Sequence, residues 1–153
     1  MKRSHSAFTM IELVFVIVIL GILAAVAIPK LAATRDDAKI SKIAMNIMSG
    51  AAEIAEYATS HAAVDDNLSV MSNGISSLVD SGDAVLKDDG SKAEVKMGSV
   101  SDCVIVEVAS GEQEDNLTVS FGDANGDSKC SHLQSAIDAS KYPMKLRGTS
   151  VNY

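Results

Sequence analysis

The stretch "SAFTMIELVFVIVILGILAAVAIPK", residues 6–30, decides how the rest of the chain is read. Residues 13–28 contain no polar side chain, and extending the run back to residue 8 adds only Thr9 and Glu12. As a helix, residues 8–28 would span about 31 Å, close to the thickness of a bilayer hydrocarbon core. The remainder of a 153-residue chain is too small to cover such a helix on every side. The segment therefore belongs in a membrane or against copies of itself.

Three readings compete. In a cleaved secretory signal, Lys2 and Arg3 form the basic start, residues 13–23 the apolar stretch and Ala25-Val26-Ala27 the cleavage site. Glu12 has no use in such a signal, and the helical pattern continues beyond Pro29 without a break in composition. In a plain membrane anchor, Lys2 and Arg3 precede the span while Lys30 and Arg35 follow it, so the positive-inside rule leaves the orientation poorly set. Glu12 would then lie about one turn into the apolar phase, where an unpaired carboxylate costs about 2–3 kcal/mol. No Lys, Arg or His lies within the span, so a charge partner must come from outside this helix. The third reading supplies one.

A short basic leader followed by "FTMIELVFVIVILGILAAVAIPKL" resembles the class III signal of type IV pilins and of type II secretion pseudopilins. The resemblance covers roughly residues 1–45. It implies that prepilin peptidase cuts between Ala7 and Phe8, with Ala7 standing where the family usually has Gly, and that Phe8 becomes the N-methylated first residue. It makes Glu12 the assembly acid. The free amine of Phe8 in a neighbouring copy meets this carboxylate, so an acid that is costly in a lone subunit becomes a registration device in a polymer. Gly21 and Pro29 match the family's helix-loosening glycine and proline. Gly weakens a helix interior by about 1 kcal/mol and Pro by about 3 kcal/mol, and Pro29 also removes a backbone donor and disfavours helical geometry at Ile28.

The fold expected is α+β and pilin-like: a long N-terminal helix, transmembrane in its first half, packed on a small antiparallel meander sheet. Residues 1–7 are the leader, 8–29 the transmembrane and filament-core half of the helix, 30–61 its amphipathic half, and 62–153 a globular head. Ile40, Ile43, Ala44, Ile47, Met48, Ala51, Ile54, Ala55 and Ala58 recur at helical spacing and predict the buried stripe. Residues 61–74 connect out of the helix, with turns at Asp65-Asp66-Asn67 and Asn73-Gly74. Residues 75–86 predict a short helix with Ile75, Leu78 and Val79 inward, and 87–92 a turn. Strands are expected at 93–97, 102–109 and 116–122, the last from its apolar alternation. A helix follows at 131–140, and residues 142–153 end the chain with an edge strand.

Composition bounds the chemistry. The net charge is −7, and loss of Lys2 and Arg3 with a leader takes it two units lower. An acidic body argues against nucleic-acid binding, and Lys141, Lys145 and Arg147 read as solvated surface. Three Phe, three Tyr and no Trp leave a small aliphatic core that benefits from a staple. Cys103 and Cys130 are the only cysteines. In an exported head they favour one disulfide, the kind of C-terminal staple pilin-like heads commonly carry, although the resemblance does not itself fix this pairing. "GDANGDSKC" (122–130) sets Asp123, Asn125 and Asp127 at alternate positions, oxygen donors suited to calcium. The full calcium loop is not met, since Ser128 and Gln134 stand where Gly and Glu are expected, and an Asx/Gly turn is the plainer reading. His5, His61 and His132 are scattered, no serine has a G-x-S-x-G context and no phosphate loop is present, so no enzyme is expected.

The function expected is a structural subunit of a type IV pilus-like filament serving adhesion, motility or DNA uptake. A secretion pseudopilin is the near alternative, and a membrane-tethered or secreted binding module the more distant one. The partners implied are further copies of the chain, prepilin peptidase, an inner-membrane assembly platform, and lipid before assembly. The precursor would cross the bacterial inner membrane once, and the filament would be periplasmic or at the cell surface.

Overall fold

A computed structural model describes residues 8–111 and 114–147. The chain divides into two compact units at Asp37/Ala38, and each is described by itself. Helix α1, Met10–His61, contributes to both. Within the first unit its apolar side chains are exposed all round, from Phe8 and Leu13 to Leu31. By length and composition this helix can cross a membrane. Helical structure runs through Pro29, which has no N–H to give the carbonyl of Ala25. A Cβ placed on Gly21 would meet nothing within 4 Å, so packing inside the chain does not require a glycine there.

In the second unit the helical stripe is buried as the spacing predicts. Ile43, Ile47 and Ile54 are fully enclosed, with Ile40, Ala44, Ala51 and Ala58 beside them. Met48 and Ala55 depart from the expectation. Met48 remains 41% exposed and Ala55 only flanks the core, because both sit at the edge of a stripe narrower than the apolar spacing suggests. After α1, Asn67 caps the short helix α2, Leu68–Met71, by accepting from the Ser69 N–H. Helix α3, Asn73–Asp80, begins where a turn was expected at Asn73-Gly74. The Ser72 hydroxyl accepts from the Ile75 N–H at 3.1 Å and donates to Glu53 on α1 at 2.9 Å, while the Gly74 N–H reaches the same carboxylate at 3.0 Å. A cap supplied from 21 residues away turns the Ser-Asn-Gly stretch into a helix start.

The sheet is a five-stranded antiparallel meander in the order β1-β2-β3-β4-β5. Its strands are β1 (Ala84–Lys87), β2 (Lys92–Met97), β3 (Val100–Ser110), β4 (Asp115–Phe121) and β5 (Met144–Arg147). β1 corrects the expected helix over 75–86. Gly82, at φ 71°, ends α3, and Ala84 and Leu86 then alternate inward while Val85 faces out. Four residues are too few for that alternation to outweigh the preceding helical pattern. Across the inner face, Ala93 opposes Val106, Val95 opposes Val104, and Val108 opposes Leu117. The outer face is polar, with Lys92 and Glu94 paired at 3.5 Å. Helix α4, Ser128–Ser135, is shorter than expected, and a 3-10 turn at Ala139–Lys141 replaces its second half. β5 supplies the start of the expected edge strand, and residues 148–153 lie outside the described residues.

Cys103 on β3 and Cys130 on α4 are bridged, with Cα atoms 5.7 Å apart across 27 residues of chain. Replacing both by Ser should cost about 3–4 kcal/mol from loop-closure entropy, read by urea unfolding in detergent micelles. A second test concerns the contact of α1 with α3. A Cβ on Gly74 would lie 2.6 Å from the Asn46 carbonyl oxygen and 3.0 Å from the Gly50 nitrogen, both backbone atoms that cannot step aside. Gly74→Ala should therefore destabilise by about 1–3 kcal/mol in the same assay, whereas Gly21→Ala should not.

Candidate functional site: the acid at the start of the apolar helix

Thr9-Met10-Ile11-Glu12 forms a reciprocal helix cap. Glu12 Oε2 accepts from the Thr9 N–H at 2.8 Å and from the Thr9 hydroxyl at 2.7 Å, while the Glu12 N–H donates to Thr9 Oγ1 at 3.3 Å. Two donors at the helix start are thereby satisfied by side chains three residues apart. The sequence already carried this signal, a Thr followed three residues later by Glu before an apolar run. Thr9 is thus a local partner for Glu12 beside any charge partner from outside this helix. Hydrogen bonds from Thr9 lessen the isolation of the carboxylate but bring no positive charge, and Oε1 takes part in neither bond.

Around this cap, Phe8, Ile11, Phe15 and Val16 line a shallow hollow with Glu12. Phe8 is 82% exposed. It directly precedes Thr9, the residue that caps the helix with Glu12. Ala7, on the other side of the expected cut, lies outside the described residues. Gly21 and Pro29 are within α1, as described above.

The candidate calcium residues Asp123, Asn125 and Asp127 each take part in local hydrogen bonds. Asp123 Oδ1 accepts from the Asn125 N–H at 2.8 Å in an Asx turn, and Asn125 takes a left-handed φ of 48°. Asp127 caps α4: its Oδ1 accepts from the N–H groups of Lys129 and Cys130, and its Oδ2 from the N–H and hydroxyl of Ser99. The Gly98-Ser99 turn joining β2 to β3 is thus tied to the start of α4, and a Cβ on Gly98 would run into the same carboxylate. An ion at Asp127 would have to displace those four donors. Among the described residues no group of three or more His, Cys, Asp or Glu side chains could hold a metal ion.

These donors hold the Asp127 carboxyl down at about 2, chiefly through the backbone and hydroxyl of Ser99. A carboxyl depressed in the fold stabilises it above the ordinary value of 3.8, and that contribution disappears as pH falls toward about 2. The thermal midpoint of Asp127→Ala should therefore lie below that of the unaltered chain at neutral pH, with the gap closing as both are acidified through this window. A constant gap would place the role of Asp127 outside its charge.

Residues 2–28 match the family model described as the prokaryotic N-terminal methylation motif. This is the class III prepilin-type motif of type IV pilins and pseudopilins, and it implies processing by prepilin peptidase and assembly into filaments. No curated protein and no solved structure matches the chain.

Proposed function

We propose that this chain is the structural subunit of a type IV pilus-like filament, made as a precursor and polymerised through α1. The observation that carries the reading is the methylation motif over residues 2–28, with one acid set at the mouth of an otherwise apolar span. Residues 8–29 hold the precursor in the bacterial inner membrane. Prepilin peptidase cuts between Ala7 and Phe8, and Phe8 is N-methylated. An assembly platform then draws the subunit from lipid into a periplasmic or surface filament.

The cap at Thr9 and Glu12 gives this route a physical basis. Cleavage before Phe8 leaves Thr9 intact, so Oε2 keeps its two hydrogen bonds while a neighbour's methylated amine neutralises the charge. Pairing the ions removes the cost of about 2–3 kcal/mol that an acid meets in the bilayer, and it favours the one stagger of helices in which amine and acid coincide. Gly21 supports a loosening role, because nothing within the chain asks for a glycine at that position. The role is mechanical rather than catalytic, in adhesion, motility or DNA uptake. We favour a pilus over a secretion pseudopilus because residues 62–74, which follow α1, contain neither Tyr nor Pro.

Mass spectrometry of sheared surface fractions should find a chain beginning at N-methyl-Phe8. A chain beginning at Ile28 would instead make this a secreted domain. Glu12→Ala should be processed normally yet abolish filaments, and filaments of ordinary yield from that variant would remove Glu12 from assembly.

A further inference from the structure

The pattern N-x-[ST], with x not proline, occurs twice in the chain, at Asn67-Leu68-Ser69 and at Asn116-Leu117-Thr118. It is the acceptor pattern for attachment of a glycan to the asparagine amide. In both copies an acid stands two positions earlier, Asp65 in the first and Glu114 in the second, the longer form that bacterial oligosaccharyltransferases accept. The fold treats the two copies differently. Asn116 lies in β4 between Ala109 of β3 and Lys145 of β5, and the Thr118 hydroxyl donates to the Glu107 carbonyl at 3.3 Å. Glu114 is paired with Lys145 at 2.9 Å. To reach this asparagine a transferase would have to break a strand that has a hydrogen-bonded neighbour on either side.

The first copy sits in the connection between α1 and α2, and its polar groups are turned on one another. The Asn67 N–H donates to Asp65 Oδ1, and the Ser69 N–H donates to Asn67 Oδ1, both at 2.9 Å. Asn67 is half-buried, and its Nδ2, the atom a glycan takes, makes no hydrogen bond among the described residues. The Ser69 hydroxyl is enclosed and likewise has no partner there. A buried hydroxyl without a partner costs stability, so its presence asks for a reason outside the bonding of the fold. Helix α2 has only four residues, and opening it to present Asn67 and Ser69 breaks little helix. We propose that Asn67 is an N-glycosylation site, and that the sheet keeps Asn116 unmodified in the folded chain. The donor is an oligosaccharide carried on a polyprenyl diphosphate. Asn67 Nδ2 attacks its anomeric carbon: the C–N bond forms as the C–O bond to the diphosphate breaks, the amide gives one proton to a base of the transferase, and the lipid diphosphate leaves. Nothing is oxidised or reduced. Oδ1 is untouched, so the cap on the Ser69 N–H survives the change. The site rests on the filament reading only for export of the second unit, which a tethered module would supply equally.

The test takes the full chain in detergent micelles with a purified bacterial oligosaccharyltransferase and a synthetic polyprenyl diphosphate-linked oligosaccharide. Neither export nor filament formation enters this reaction, so its failure is separate from any failure of the filament reading. Peptide mass spectrometry should find the glycan on Asn67 in severalfold excess over Asn116. Reducing and unfolding the chain should bring the two yields together, since both carry the acceptor pattern. Ser69→Ala should abolish modification of Asn67 and leave the urea unfolding midpoint in place or slightly raised, because the hydroxyl it removes has no partner. An unmodified Asn67 would overturn the proposal, as would continued modification of Asn67 in Ser69→Ala. An equal or larger yield at Asn116 in the folded chain, or an Asn116 that stays unmodified after unfolding, would overturn the role given to the sheet.

Discussion

Burial of the Ile43, Ile47 and Ile54 stripe of α1 is the interaction on which the second unit depends. Each of these side chains, fully enclosed, contributes about 1.5–3 kcal/mol. The valines of β2, β3 and β4 belong to the same core, as do Ile75 and Leu78 of α3 and Leu133 of α4. Small residues at Ala44, Gly50, Ala51 and Ala58 let neighbouring elements approach the helix closely. At Gly50 the approach is backbone to backbone, which is why α3 carries Gly74 at the contact.

A core this small leaves much of the positioning to polar clips. Glu53 on α1 holds the start of α3, and its carboxyl is kept below the ordinary range mainly by the Gly74 N–H. Asp127 joins a hairpin turn to a helix start. Gln134 donates to the carbonyls of Cys103 and Gly122, next to the disulfide. Each clip satisfies backbone groups that a short helix or tight turn would otherwise leave to water. Two of the clips, Glu53 and Asp127, also show where an acidic chain places part of its charge: their carboxylates act as acceptors for N–H groups within the fold.

The N-terminal segment follows a different logic. Its side chains find no cover within the first unit, so their burial must come from lipid or from other copies of the chain. Glu12 is the one charged side chain in residues 8–28. Its local cap with Thr9 gives the carboxylate two hydrogen bonds and brings no positive charge to it.

What the sequence determined by itself is whatever a short window encodes. The apolar run, the Thr-to-Glu cap, the 3–4 spacing of the isoleucines and the alternation of β4 are all set by neighbours within a few residues. Periodicity reports them directly. Tertiary structure decided the rest. The tie of Asp127 to Ser99 exists only because the fold brings the two together across 28 positions. Asn73-Gly74 reads as a turn until Glu53 caps it, and Met48 reads as core until the fold leaves it at the edge of the buried stripe. β1 was hidden for the same reason: four residues become a strand only when β2 offers them a ladder. A hydrogen bond or a boundary between elements distant in sequence leaves no period in the chain, so only the assembled fold can show it.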